Sequence, residues 1–315
     1  MFKGSNEIPQ GFDSPTALPK NAEEARAWQD ANRTWWEKNP MRYDFFQKLD
    51  GKEEFSREMY EEIDRRFLGL SDDYLHNRRL PFDELIPYDE LPQLDVLEIG
   101  VGNGTHASLL ARHAKSFRGI DLTEYASRST SRRFQLFDLP GQIMQMDAEK
   151  MAFPDASFDF IWSWGVIHHS SDTPAIVREM HRVLRPGGRA IVMVYNRSFW
   201  EYNVRRGFFF ALYNRACRRE HSAHRTTQMT IDGGLARFYT KQEWRNLVGG
   251  QFDVSRFDVY GQRPTVLPVP TRYRDSLSRF VPKAAANFVL TTLSQGQYLV
   301  AHMKRRDTPV SAPRS

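Results

Sequence analysis

A single cysteine in 315 residues, Cys217, excludes an intrachain disulfide and a cluster of thiolate metal ligands. A reducing compartment, the cytoplasm, is the expectation that follows. The first ten residues have neither the basic start nor the apolar stretch of a secretory signal, and no apolar run approaches the ~20 residues that cross a bilayer. Internal repeats and extended low-complexity tracts are missing too. The excess of positive charge is small: 44 Lys+Arg against 39 Asp+Glu leave +5, with basic residues lying among acidic ones and the denser groups short and far apart. Nothing in this resembles a nucleic-acid-binding stripe, so no nucleic acid partner is expected. The histidines have no metal-ligand spacing, and no metal is expected.

What is present is an ordinary globular balance, 40% hydrophobic and 26% charged, with enough aromatic residues (13%) for some to line a pocket. The length suits one large α/β domain with additions. After an irregular start, Asn21 caps a run of helix formers that continues through Trp35 and Trp36 to Asn39-Pro40, and apolar residues recur at helical spacing over 56–67. These form an N-terminal helical extension, 1–90. From there to about residue 305 short β-type runs alternate with amphipathic helices, the pattern of a parallel sheet with crossover helices. Strands are expected at 94–99, 116–120, 142–146, 158–162 and 189–195, with helices at 105–113 and 173–184. A long basic, aromatic helix over 199–219 then interrupts the alternation inside an insertion of about 197–238. The capping box Thr240-Lys-Gln-Glu243 opens another helix, followed by a strand over 252–260, a Pro-rich loop, a helix near 284–293 and a last strand at 297–303. The tail 306–315 reads as disordered. The whole is an α/β, Rossmann-like chain.

The strongest chemical signal is the first strand running into Gly100-Val-Gly-Asn-Gly104, preceded by Glu98 and followed by a helix. A turn this tight, with backbone close to a ligand, calls for glycine. The spacing is Gly-x-Gly-x-Gly, without the Gly-x-Gly-x-x-Gly register of a dinucleotide pyrophosphate site, and no Tyr-x-x-x-Lys pair suggests a dehydrogenase. Asp121 ends the second strand, where a carboxylate can accept hydrogen bonds from ribose hydroxyls. Asp147 and Ala148 end the third, where an adenine amino group can be met. These residues share the carboxyl edge at which open α/β sheets bind ligands.

With its Leu97-Glu-Ile-Gly-Val-Gly-Asn-Gly104, Asp147-Ala-Glu149, Phe153-Pro-Asp-Ala-Ser-Phe-Asp159 and Arg182-Val-Leu-Arg-Pro-Gly-Gly188, the sequence resembles the class I S-adenosylmethionine (SAM)-dependent methyltransferases, in particular the type 11 small-molecule family. The resemblance covers about 94–195. It implies a seven-stranded sheet whose last strand inserts antiparallel, and SAM as cofactor. Glu98, Gly100, Gly102, Gly104, Asp121, Leu122, Asp147, Ala148 and Trp164 would bind it, Gly100 and Gly102 under its methionine and ribose parts. Val101 stands where Cys or Ala is frequent. Ser163-Trp-Gly-Val166 replaces the Asn-Pro-Pro-Tyr type of motif, which disfavours methylation of adenine or glutamine nitrogen.

His168 and His169 follow the fourth strand on the ligand edge, where an imidazole can take the proton of an attacking hydroxyl or simply pack a helix start. Trp35, Trp36 and Tyr43 can close over a cationic sulfonium or pack the extension. Tyr195, Arg197 and Tyr239 are further substrate candidates. The segment 199–219, with five arginines among its aromatics, suits an anionic membrane surface that presents a lipid substrate, a substrate lid or a homodimer contact. The expected activity is methyl transfer to a small-molecule hydroxyl, as on a sugar, glycolipid or natural-product-like acceptor. N- or C-methylation, including of a quinone- or lipid-like acceptor, and a catalytically silent SAM-binding subunit stay open. Replacing Asp121 by Ala should weaken SAM binding by about 1–3 kcal/mol, the cost of losing hydrogen bonds to a charged group, as read by calorimetry.

Overall fold

The computed structural model describes residues 7–43, 51–75, 79–213 and 222–307. Two helices come first. In α1 (Ala22–Lys38) the Asn21 side chain accepts the Glu24 N–H, and in α2 (Arg57–Ser71) the Ser56 hydroxyl accepts that of Met59, both ordinary N-caps. The sheet then begins with β1 (Asp95–Ile99), followed by α3 (Thr105–Ala111), β2 (Ser116–Asp121), α4 (Glu124–Leu136), β3 (Gln142–Gln145), β4 (Phe158–Trp164), α5 (Thr173–Val183) and β5 (Leu184–Asn196). All five strands pair in parallel.

Order across the sheet is β3-β2-β1-β4-β5, then β8 (Tyr298–Arg305), then β7 (Phe252–Tyr260). β8 inserts between β5 and β7 and runs antiparallel to both, as the resemblance implies. An eighth strand, β6 (Phe238–Tyr239), pairs with the end of β5; two residues are too few to leave an alternation in the sequence. Chain order reverses between β1 and β4, and that switch point is where ligands bind in open α/β sheets.

Both faces of the sheet are covered, which is why its strands read as continuous apolar runs. Leu97, Ile99 and Val192 pack with Ile176, Val177 and Met180 of α5 and with Trp244 of α8 (Lys241–Val248). On the opposite face Val96, Trp162 and Val300 pack with Leu110 of α3 and with Phe82 and Leu91. The capping box of α8 is formed as the sequence requires, with Thr240 and Glu243 exchanging bonds.

The expected helix over 199–219 differs from its regular form. Phe199–Phe209 is a π-helix, continuing as α6 (Phe210–Tyr213), and 214–219 lie outside the described residues, as does most of the 306–315 tail. In a π-helix residues i and i+5 are hydrogen-bonded neighbours. Glu201 accordingly takes both Arg205 and Arg206, an arrangement an ordinary helix offers only to the i+4 partner. Helices α7 (Ala223–Met229) and α9 (Thr271–Ser278) carried no sequence expectation, while α10 (Lys283–Asn287) with its π turn Phe288–Thr292 falls where one was expected.

The N-terminal helices are bolted to the sheet by polar contacts. Arg133 of α4, only 3% exposed, forms an ion pair with Asp64 of α2 and donates to the Asn103 carbonyl; Asp64 also accepts from Thr105 Oγ1 at 2.7 Å. Glu37 near the end of α1 accepts the Glu124 and Tyr125 N–H groups, placing a carboxylate on the positive end of α4. Arg133 is buried but Asp64 is partly exposed and keeps its bond from Thr105, so Arg133→Ala should cost about 1–3 kcal/mol of unfolding free energy in urea titration. Loss within 0.5 kcal/mol would mean that the pair is not holding α2 in place.

Candidate active site

A cavity of about 940 Å3 lies along the carboxyl edge of the sheet, lined by the ends of β1, β2 and β4, the residues after β3, and the two N-terminal helices. That is the upper end of the range for small-molecule sites. One end is built on the turn after β1. Gly100, Gly102 and Gly104 all have left-handed φ (82°, 53° and 81°). A Cβ on Gly100 would stand 2.2 Å from the Val166 side chain, so a larger residue has neither the conformation nor the room. At Gly102 nothing lies within 4 Å of where a Cβ would be, and the backbone is open to the cavity.

Three carboxylates surround this turn. Asp121 accepts the Gly102 N–H at 3.1 Å on one oxygen and the Thr123 N–H and hydroxyl at 3.0 and 2.8 Å on the other; a carboxylate has acceptor positions beyond these three. Burial still pushes its pKa up against those hydrogen bonds. Asp147 accepts from Gln29 Nε2 of α1 and from the Glu149 N–H at 2.9 Å. Glu98 is 2% exposed and its Oε2 has no hydrogen-bond partner. Burial pushes its carboxyl well above the usual carboxylate range, and the Asp121 charge adds to the shift. A buried orphan carboxyl beside an open glycine backbone is a position that awaits a cationic or donor group.

The rest of the lining is aromatic and mixed in charge: Trp36, Tyr43, His169, Tyr195 and Tyr298, with Arg205, Arg206 and Asp232. Tyr195 and Tyr298 are paired neighbours at the rim where β5 meets β8. Burial raises the pKa of Tyr195 and pushes that of Tyr298 up to about 12, so both hydroxyls stay protonated near neutrality. His169 Nδ1 lies 2.7 Å from the Leu235 carbonyl; that bond puts the proton on Nδ1 and the lone pair on Nε2. Its ring meets Trp36 edge-on at 5.1 Å. The segment that supplies Leu235 also approaches closely at Gly233, where a Cβ would stand 2.5 Å from His169 Nδ1.

Glu98, the three glycines, Asp121, Leu122, Asp147, Ala148, Trp164, His169, Trp36, Tyr43 and Tyr195 thus face one cavity. Four other candidates do not. His168 is fully buried beneath Tyr195 (ring centroids 4.1 Å apart), and burial, with His169 and Arg237 adding, holds its pKa well below the ordinary value. Trp35 is turned away because adjacent helical residues cannot share a face. Arg197 is drawn into an ion pair with Glu243 of the capping box, and Tyr239 is sealed in the core against Trp244. Among residues that sequence reasoning missed, Gln29 and Asp232 carry no local signal at all. Asn103 stood inside the glycine motif: its side chain donates to the Met41 carbonyl at 2.7 Å and accepts from Ser129, fastening the turn to the segment after α1.

Residues 97–192 match the family described as "Methyltransferase domain". This part of the chain is similar to the methyltransferase domains of SAM-dependent enzymes. A 27-O-demethylrifamycin SV methyltransferase of Amycolatopsis mediterranei is 35% identical over 97 residues, 30% of this chain and 36% of that protein. A 2-methyl-6-phytyl-1,4-hydroquinone methyltransferase of Synechocystis is 30% identical over 125 residues, 36% of this chain and 39% of that protein. The matches therefore span well under half the length of these relatives. The crystal structure of a SAM-dependent methyltransferase from Mesorhizobium loti superposes with a TM-score of 0.51 at 20% identity, covering 71% of this chain and 95% of that one, which shows the shared fold.

The residues here fit SAM: its ammonium would supply the donor that Glu98 Oε2 lacks, and the open backbone at Gly102 would leave space beside it. The pH dependence follows from the raised Glu98 pKa. Folding keeps Glu98 protonated where the unfolded chain ionises, so stability falls as pH rises above the ordinary carboxylate range near 4.3. An ammonium favours the ionised form, so binding releases a proton and strengthens as pH rises through the Glu98 pKa. Glu98→Gln should therefore raise the melting temperature of the ligand-free protein at pH 8 and weaken S-adenosylhomocysteine binding by about tenfold or more, the loss of a charged hydrogen bond. Calorimetry between pH 5 and 8 checks both; a pH slope that survives in the variant would assign the proton to another group.

Proposed function

We propose that this protein transfers the methyl group of SAM to a hydroxyl oxygen of a small molecule, with His169 as the base. The observation that carries the reading is the hydrogen bond from His169 Nδ1 to the Leu235 carbonyl, which fixes the tautomer of the one histidine of the adjacent pair that lines the cavity. SAM, when bound, would supply an electrophilic methyl on a sulfonium sulfur that can take the bonding electron pair. The chain's residues do the rest. Glu98, Asp121 and Asp147 hold the ligand at the sheet edge, and the aromatic lining sets the acceptor on the methyl side, so that positioning lowers the barrier. As the acceptor oxygen forms its bond to the methyl carbon, His169 Nε2 takes the hydroxyl proton.

The rifamycin relative, whose name specifies an oxygen position, supports an oxygen acceptor, and the aromatic lining suits a natural-product-like ring. Methylation of a hydroquinone-like acceptor is a second reading, favoured by the Synechocystis relative and the same lining. The division into an N-terminal helical extension (1–90) and a catalytic domain (91–305), a small molecule rather than nucleic acid as partner, and a cytoplasmic setting belong to this proposal as well. Among the described residues no helix is long and apolar enough to cross a membrane.

His169→Ala should lower turnover about a hundredfold or more with cofactor affinity unchanged, whereas His168→Ala should lower thermal stability and leave turnover within a few fold. The measurement is transfer of radiolabelled methyl from SAM to extract-derived acceptor, beside calorimetric cofactor binding. Near-normal transfer by the His169 variant would remove the base and favour an acceptor that needs none.

A further inference from the structure

Of the twelve large apolar side chains exposed among the described residues, nine lie in two segments, 199–213 and 273–293. Phe199 is 72% exposed and Phe280 78%, and soluble proteins seldom leave so much apolar surface together without a partner for it. The segments are joined, since Trp200 donates from its backbone N–H to Gln295 Oε1 and from Nε1 to the Thr265 carbonyl, both at 3.0 Å. Both also border the cavity. Phe210 lines it from α6, Arg274 and Ser278 line it from α9, and the half-exposed Leu70 of α2 marks where it reaches the surface. Along α9, residues 274 and 278 share the face toward the cavity, while the exposed Tyr273 and Leu277 share the neighbouring face. Phe280 follows at the corner between α9 and α10, with Arg279 and Lys283 on either side of it in the chain. The Arg279 guanidinium lies 5.9 Å from the Phe280 ring and donates through Nε to the Ser276 carbonyl; Lys283 Nζ donates to the carbonyl of Asp72. Both cations are exposed, and among the described residues neither is in an ion pair. Over 263–293 the sequence has five Lys+Arg and one acid, Asp275; Asp72 and Asp73 end α2 beside this segment, with Asp73 3.9 Å from Arg263. The surface around Phe280 is therefore apolar and net positive.

We propose that the corner between α9 and α10 docks on an anionic lipid bilayer, with Tyr273, Leu277 and Phe280 entering the interface and Arg279 and Lys283 meeting the headgroups. Apolar side chains flanked by cations suit such a surface, because burial of the one and attraction of the other to anionic lipid add together, and no spanning helix is needed. A second copy of this chain fits the corner less well. A two-fold contact through it would bring Arg279 and Lys283 close to their own copies, like charge against like. Docked in this way, the cavity opens beside the lipid, since α9 gives one face to each. On the methyl-transfer reading, the acceptor is then an amphiphile that enters from the bilayer past α9.

The test is flotation of the full chain with vesicles of phosphatidylcholine alone and of phosphatidylcholine with phosphatidylglycerol in equal parts. The mixed vesicles should bind about tenfold or more tighter, and that difference should shrink as salt is raised. Phe280→Ser should weaken binding to the mixed vesicles by about tenfold or more, the loss of one buried aromatic side chain. Arg279→Gln combined with Lys283→Gln should bring it down to the level of phosphatidylcholine alone. All three side chains are exposed, so melting temperature and S-adenosylhomocysteine affinity should be unchanged in both variants. Absence of binding, equal binding to the two kinds of vesicle, or full binding kept by either variant overturns the proposal. A dimer in sedimentation velocity that Phe280→Ser breaks, with vesicles left unbound, also overturns it and gives the surface to a second copy. Failure of the wild type to bind S-adenosylhomocysteine would instead sink the methyl-transfer reading, and the docking result would stand.

Discussion

The close approach of Gly100 to Val166 sets the geometry of everything else at the sheet edge. It joins the end of β1 to the loop after β4, across the switch point, with no room for a side chain between them. Val166 is followed directly by the short turn Ile167–His169, so the backbone on which the cofactor would rest and the loop that carries the proposed base share one contact. Neither can shift without the other. From there the constraint passes outward: His169 is held through Leu235 and Gly233 by the segment after α7, and Arg237 fastens that segment to the carbonyls of Ser170, Ser171 and Ala17. Arg237 is buried, yet all its bonds are to neutral carbonyls, and burial lowers its pKa from a value so high that it stays charged.

The N-terminal helices supply the wall that the sheet lacks. Without them the carboxyl edge would be an open crevice; with them it is a cavity whose roof is α1 and whose flank is α2. Their attachment is polar at Gln29, Glu37 and Asp64 and apolar at Phe67, which packs with Phe82 and Val96, and at Trp28, which packs on Phe12 at 5.4 Å and donates to the Gln10 carbonyl.

The parallel core was legible because each of its devices is local. The apolar runs of β1 and β4, the glycine spacing, the Asn21 and Ser56 caps and the Thr240–Glu243 box all announce themselves within a few residues. Even the antiparallel last strand followed from the resemblance those motifs carry. What stayed hidden was assembled across long separations. Gln29 reaches Asp147 over 118 positions, and the sequence around a glutamine in a polar helix says nothing of it. The histidine pair is a sharper case: composition and spacing treat His168 and His169 alike, both are buried, and only the direction of a single turn puts His169 and not His168 in the cavity lining. The π-helix was read as an ordinary helix because nothing in its local sequence distinguishes an i→i+5 ladder from an i→i+4 one; the structure shows that Glu201 pairs with both Arg205 and Arg206 along it.

The bond between Gln29 and Asp147 has a kinetic consequence. Gln29 also accepts the Ser171 N–H at 3.2 Å, so α1 spans the cleft from the end of β3 to the start of α5 like a latch across a door. On the proposed reading, a nucleoside using Asp147 would have to share or displace that latch, and one settled beneath it would leave only when the helix lifts. Docking of α1 and ligand residence would then draw on the same free energy, and a change that loosens α1 would shorten the lifetime of the bound state even with every residue touching the ligand intact.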